Sequence, residues 1–115
     1  FFSAFIILLN YIYTKLTQII LLKLNEKNFY SRFLDNLKNS QKWPGPYMFK
    51  FIVKEKETNI DEIKKIFIGM KVKFSVKKSS KNNYTSLSVS LTLKSPESVI
   101  SIYKDISKFK GVISL

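Results

Sequence analysis

The sequence predicts an α+β fold of the ferredoxin-like type, in which two helices cover one face of a four-stranded antiparallel sheet. Two observations support this prediction. Strand and helix patterns follow one another in the order β-α-β-β-α-β, after a hydrophobic leader and an N-terminal amphipathic helix. The longest strand pattern alternates between aliphatic and hydroxyl residues, as in a sheet covered on one side only. Right-handed crossovers fold this order of elements into the βαββαβ sandwich.

The composition limits the chemistry that the chain can perform. Its 115 residues include 20 Lys and Arg against 8 Asp and Glu, with no Cys and no His. A disulfide framework, a thiol nucleophile, an imidazole base and an ordinary zinc site are therefore excluded. We expect no catalytic residues, no cofactor site and no metal site. The missing Cys fits a reducing compartment, so the expected location is cytoplasmic unless the leader anchors the chain in a membrane.

Composition also divides the chain into three segments. Residues 1–24 form the leader, with 17 apolar residues and two charges. Residues 25–42 form the amphipathic helix and a linker, and residues 43–115 form the ferredoxin-like domain. Residues 25–115 carry a net charge of +10, from 18 basic and 8 acidic residues.

Three interpretations of the leader are open. Its length is sufficient for a membrane helix, which needs about 20 apolar residues. Its Phe, Ile and Leu residues favour insertion by roughly 4 to 8 kcal/mol, while Lys15 opposes it by up to about 3 kcal/mol. It lacks the basic start and small-residue cleavage site of a signal peptide. We expect a mis-called start in an A/T-rich gene, with a membrane anchor and a packed amphipathic helix as the alternatives.

The first half of the domain contains a strand and a helix after the amphipathic helix Glu26–Lys38. Tyr47–Val53 alternates between two faces, with Tyr, Phe and Val on one and Met48, Lys50 and Ile52 on the other, which predicts a strand. Asn59 is a good N-cap for the helix that follows, and Gly69 suits its C-terminal end.

The acidic residues near this helix have two interpretations. Four carboxylates surround its start and could hold a hard cation, but we interpret them as first-turn acids and a solvated loop. They are Glu55, Glu57, Asp61 and Glu62.

The second half contains two strands, a helix and a short last strand. Lys71–Lys77 and Tyr84–Lys94 both alternate, and the polar residues between them, Ser79–Asn83, predict a turn. Ser95 and the following Pro then begin a helix with apolar residues at helical spacing. Val112–Leu115 predicts the final strand.

The chain resembles the YbeD-like family of small bacterial proteins, which are labelled lipoate-binding regulatory proteins and are otherwise of unknown function. The likeness covers Asn25–Leu115. It rests on Trp43-Pro44, on Tyr47 with the Phe-Lys-Phe-Ile run that follows, on Tyr84-Thr85-Ser86 and on Ile102-Tyr103. The resemblance implies a fold like that of ACT regulatory domains and a regulatory or ligand-binding role. It provides no binding residues to transfer, and the residues themselves give no reason to expect lipoate.

The uncovered face of the predicted sheet is the candidate ligand or partner surface. It combines positive charge with hydroxyl groups, although Lys, Ser and Thr are also ordinary solvent-side strand residues. The candidate residues are Lys50, Lys73, Ser75, Lys77, Ser86, Ser88, Ser90 and Thr92.

These observations predict a small non-catalytic regulatory or interaction domain that contacts a protein partner or a small ligand, with homodimerisation possible. The alternatives are a membrane-anchored basic adaptor, if residues 1–24 are genuine, and a weak nucleic-acid binder. Specific nucleic-acid binding is not expected, because Ser86, Ser88 and Ser90 stand where base-stacking rings would be needed. The net charge still permits weak, salt-sensitive binding to polyanions.

Overall fold

The computed structural model describes residues 2–54, 56–79, 81 and 83–115. The predictions for Glu55 and for positions 80 and 82 of the polar turn lie outside the described residues. The helices are α1 (Phe2–Ser40), α2 (Ile60–Lys65) and α3 (Pro96–Ile106). The strands are β1 (Gly45–Lys54), β2 (Val72–Lys78), β3 (Tyr84–Leu93) and β4 (Val112–Ser114).

The chain forms two compact units, of which the first ends at Asn36 and the second is Leu37–Leu115. The first unit consists of helix α1, which continues into the second unit as far as Ser40. The leader and the predicted amphipathic helix are therefore one uninterrupted helix, consistent with the absence of Gly and Pro from residues 2–40. From Ser3 to Phe29 every side chain is exposed, including the large apolar ones.

The sheet has the strand order β2-β3-β1-β4, and every neighbouring pair is antiparallel. This is the ferredoxin-like order, so the predicted fold class is confirmed. β1 pairs with β3 along its whole length, from Gly45 opposite Leu93 to Lys54 opposite Tyr84. β4 pairs with only three residues of β1, and β2 is the other edge strand.

The core lies on the sheet face that the sequence predicts. Phe49 and Phe51 of β1 and Leu87 and Val89 of β3 are completely buried. The ring of Phe49 lies 5.9 Å from that of Phe67, which follows α2, and 5.1 Å from that of Tyr103 on α3. Both helices therefore pack on this face.

The two predicted N-caps act where expected, whereas Gly69 lies beyond the C-terminal end of α2, which has Ile66 as its C-cap. The Asn59 side chain accepts a hydrogen bond from the Asp61 backbone N–H at 2.9 Å, and the Ser95 hydroxyl accepts from the Ser98 backbone N–H at 3.3 Å. These bonds satisfy N–H groups that have no partner within the helix. Helix α2 is shorter than its apolar pattern indicates, because turn geometry replaces the helix at Ile66.

The link between α1 and β1 is held by side-chain bonds to the backbone. Trp43 Nε1 donates to the Leu37 carbonyl at 2.9 Å, at the carboxyl end of α1. Gln41 Nε2 donates to the Pro46 carbonyl at 2.9 Å. Leu37 is buried, so this end of the helix belongs to the core of the second unit.

Candidate functional site

The strand register places all eight candidate residues on the sheet face opposite the core, which we call the open face. Ser88 of β3 lies opposite Lys50 of β1 and Ser75 of β2. The rows on either side pair Ser90 with Lys73 and Ser86 with Lys77. Thr92 lies on the same face, opposite Pro46. Their role in binding stays a prediction.

Four apolar side chains, which we call the apolar patch, accompany them on the open face. Ile52 lies directly opposite Ile113, and the Leu115 backbone N–H donates to the Lys50 carbonyl at 2.9 Å. This bond places Leu115 beside Lys50 across the β1–β4 ladder. Met48 is two residues before Lys50 and therefore on the same face. Met48, Ile113 and Leu115 are 60%, 58% and 67% exposed.

The apolar patch was not among the candidate residues that the sequence provides. Met48 and Ile52 were predicted to share the strand face of Lys50, which is correct. The sequence signal that could have identified the patch was an apolar residue at a solvent-side strand position, flanking a lysine. The contribution of Ile113 depends on long-range pairing between β4 and β1, which the sequence pattern of β4 alone does not provide.

The strands that form the open face carry lysines and no acidic side chain. Lys50, Lys54, Lys73 and Lys77 lie on this face, and the four strands contain no Asp or Glu. In the part of the chain that the structure describes, ion pairs join other lysines to carboxylates on or beside α3. The lysines of the open face are therefore available to an external anionic group.

A depression of about 600 Å³ continues the open face between β1 and the start of β2. Met48, Lys73, Ser90 and Thr92 are among the residues that line it. A larger groove of about 700 Å³ adjoins this depression, where α3 begins beside the end of β3. Its polar rim combines lysines with Glu97 and Asp105, so it lacks the single charge sign of the open face.

Two tyrosines meet at the edge of the core near this depression. The Tyr47 and Tyr103 hydroxyl oxygens lie 3.0 Å apart and share a hydrogen bond. Burial, and then the hydrogen bond with Tyr47, raise the pKa of Tyr103 far above the usual range of a phenol. Tyr103 therefore remains neutral at physiological pH, and its hydrogen bond with Tyr47 links β1 to α3.

Reactive groups do not converge on the open face. Hydroxyls without an imidazole partner cannot form a Ser-His-Asp triad, and the chain has no His. Among the residues that the structure describes, no three metal-ligating side chains come together. Glu57, Asp61 and Glu62 are exposed at the loop and the first turn of α2, as the interpretation of solvated acids requires.

Comparison with known proteins identifies the family of the domain. A family model described as "Protein of unknown function (DUF493)" matches residues 38–115, which is more than half of the chain. No curated protein and no solved structure matches the chain. The match begins at residue 38, whereas the resemblance to YbeD-like proteins begins at Asn25. The YbeD-like proteins form the same family, so the resemblance is confirmed. The chain belongs to the DUF493 family of proteins of unknown function.

Proposed function

We propose that the second unit is a non-catalytic interaction domain that binds an acidic protein surface through its open face. The observation that supports the proposal is the exposed apolar patch, with open-face lysines beside it and no acid on the strands. Apolar anchors surrounded by a polar rim are the usual composition of a protein interface. The hydroxyls of Ser86, Ser88 and Ser90 supply hydrogen-bond donors and acceptors between the apolar patch and the open-face lysines.

The charge selects the class of partner. Four lysines on one face attract carboxylates and repel a second copy of the same face. A homodimer formed face to face would bring eight ammonium groups together, so a different, acidic protein is the favoured occupant. The flat hydroxyl row lacks the rings that stack on nucleic-acid bases.

The experiment identifies the partner first and measures its affinity afterwards. A photoreactive amino acid is incorporated at position 113 in the native cells, and at position 68 as a control. Ile68 is 76% exposed but lies in the turn after α2, away from the open face. Proteins captured only from position 113 are then purified, and their binding to the full chain is measured by calorimetry.

Matched variants test the surface itself. We expect Ile113→Ser and Lys50→Glu to weaken binding about tenfold or more, as for central interface residues. The control variants Ile68→Ser and Lys65→Glu should leave binding unchanged, and added salt should weaken it. Three outcomes would contradict the proposal. The test and control variants could weaken binding equally, RNA could be captured in place of protein, or the purified chain could show steady turnover of a substrate.

The exposed apolar helix supports a second candidate, a membrane-anchored adaptor. Helix α1 contains a candidate span whose window of highest hydropathy is 0% buried. An apolar surface of this length is unfavourable in water and favourable in a bilayer. Carbonate extraction of native membranes tests this candidate: a resistant pool that disappears when residues 1–24 are deleted supports it, and a pool wholly outside the membrane fraction contradicts it.

A further inference from the structure

The outer edge of β2 presents main-chain groups that no strand pairs. The Ser79 backbone N–H donates to the Tyr84 carbonyl at 2.9 Å, which extends the β2–β3 ladder by one hydrogen-bonded pair. Hydrogen-bonding direction alternates along a strand, so Lys73, Ser75 and Lys77 point their N–H and C=O groups towards β3. The residues between them point theirs outward. Among the described residues, no main-chain partner occupies this side of β2.

The side chains at this edge provide one apolar and one cationic strip. Val72, Phe74 and Val76 face the core side, but Val76 remains 45% exposed and the other two are half-buried. They are less buried than the corresponding residues of β3 because no strand lies beyond them. On the opposite side, Lys73 and Lys77 flank Ser75, and all three are exposed.

Positive charge continues on the core side of the same edge. Lys64 Nζ lies 5.3 Å from the centroid of the Phe74 ring, so its charge is close to the apolar strip. Lys71 directly precedes β2 and Lys78 is its last residue, and both are exposed as well. A strand added at this edge would therefore be surrounded by cations on both faces of the sheet.

We propose that this edge binds an acidic extended segment of another protein, which adds to the sheet as a fifth strand beside β2. The segment would alternate acidic residues, next to Lys73 and Lys77, with β-branched residues that cover Phe74 and Val76. Its main chain would pair with the outward N–H and C=O groups of β2, as in other complexes formed by strand addition. Opposite charges on neighbouring strands stabilise such pairing. The proposal shares Lys73 and Lys77 with the open face, but it needs no residue of the apolar patch.

Two other occupants fit the edge less well. A second copy of the chain would place its own β2 lysines among Lys71, Lys73, Lys77 and Lys78, and like charges on adjacent strands are destabilising. A nucleic acid would satisfy the lysines. Its phosphates only accept hydrogen bonds, however, so they offer no donor to the outward carbonyls of β2. An acidic peptide segment satisfies both the charges and the main-chain groups.

The test uses the full chain in uncharged detergent micelles and a synthetic peptide of about eight residues that alternates Glu with Val, the length of an ordinary strand. We expect saturable binding that slows hydrogen exchange of the Val72, Phe74 and Val76 amides about tenfold or more. The amides of Lys73 and Ser75 already pair with β3 and should change little. The control peptide has the same sequence with N-methyl groups on alternate amides, which removes main-chain donors without changing charge.

Variants of the chain distinguish strand addition from simple attraction. Val76→Pro removes an outward N–H, a position where proline is tolerated in edge strands, and should weaken binding about tenfold. Val76→Thr keeps the N–H and should leave binding unchanged, as should Ile113→Ser on the apolar patch. If Val76→Pro unfolds, the N-methylated peptide provides the same comparison.

Three results would overturn the proposal. The first is equal affinity for the methylated and unmethylated peptides. The second is protection of the same amides by an oligonucleotide of equal charge. The third is concentration-dependent protection without any peptide, which would identify a second copy as the occupant.

Discussion

At the scale of single residues, the pair of Tyr47 and Tyr103 joins the first strand to the last helix. The raised pKa of Tyr103 means that the folded chain keeps this phenol protonated where the unfolded chain releases the proton. The resulting contribution to the free energy of unfolding is fully present below about pH 10, the ordinary tyrosine pKa, and is lost as the pH rises through the folded value.

The Tyr103→Phe substitution should therefore have a pH-dependent effect. At neutral pH it removes one hydrogen bond, which costs about 1 kcal/mol. Above about pH 10 the wild type should lose stability more steeply than the variant, so the difference between them should shrink. Urea unfolding of both chains from pH 8 to 11 measures this difference. Parallel curves across that range would show that Tyr103 does not titrate differently in the two states.

At the scale of elements, two glycines with left-handed backbones end the segments that lead into β2 and β4. Gly69 has φ +82° and open space around an added Cβ, with no atom within 4 Å. Gly111 has φ +71°, and an added Cβ would lie 2.9 Å from Glu57 Cβ and 3.2 Å from Lys54 Cβ. The Gly111 carbonyl also accepts from the Lys54 backbone N–H at 2.8 Å, so this turn fixes where β4 meets β1.

Alanine substitutions at these positions form a matched pair. Both should destabilise the domain by about 1 kcal/mol through the left-handed backbone. Gly111→Ala should cost at least about 1 kcal/mol more, because Glu57 and Lys54 must move away from the new methyl group. Urea unfolding measures both values. Equal losses of unfolding free energy would show that the loop before α2 moves at little cost. The turn that leads into β4 would then not be tightly constrained.

At the scale of the whole molecule, the described core belongs to the second unit. Every buried apolar residue, from Leu37 to Ile106, lies within Leu37–Leu115. Deletion of residues 1–24 should therefore leave the thermal unfolding midpoint of the domain unchanged within about 2 °C, well below the shift that 1 kcal/mol would cause. Calorimetry of the full chain in detergent and of the deletion variant in the same detergent measures it. A large fall would mean that the leader contributes to the core.

The sequence predicted the buried face better than it predicted the surface. Strict alternation in β3 identified Leu87 and Val89 as core, and both are completely buried. Alternation was less informative for β2, where Val76 stays 45% exposed because the strand lies at an edge. Strand position in the sheet depends on long-range pairing, which local periodicity does not contain.

In the candidate site too, local alternation predicts one part, and long-range strand pairing decides the other. The eight polar residues share a face because each follows the period-two alternation of its own strand. The apolar patch depends on the meeting of Ile52 and Ile113, which are distant in sequence and adjacent only through β1–β4 pairing. The continuous helix from Phe2 to Ser40 was also not evident, because a change of composition near residue 25 suggested a boundary that the backbone does not show.

The two edges of the sheet differ in a way that bears on polymerisation. On the β4 side, the edge strand has three residues, and Pro46 of β1 lacks an N–H while its carbonyl already accepts from Gln41. Growth by strand addition is therefore favoured at β2 alone. A fibril requires two complementary extendable edges on every molecule. This fold leaves the β2 edge open to one added strand, so assembly ends after that single addition.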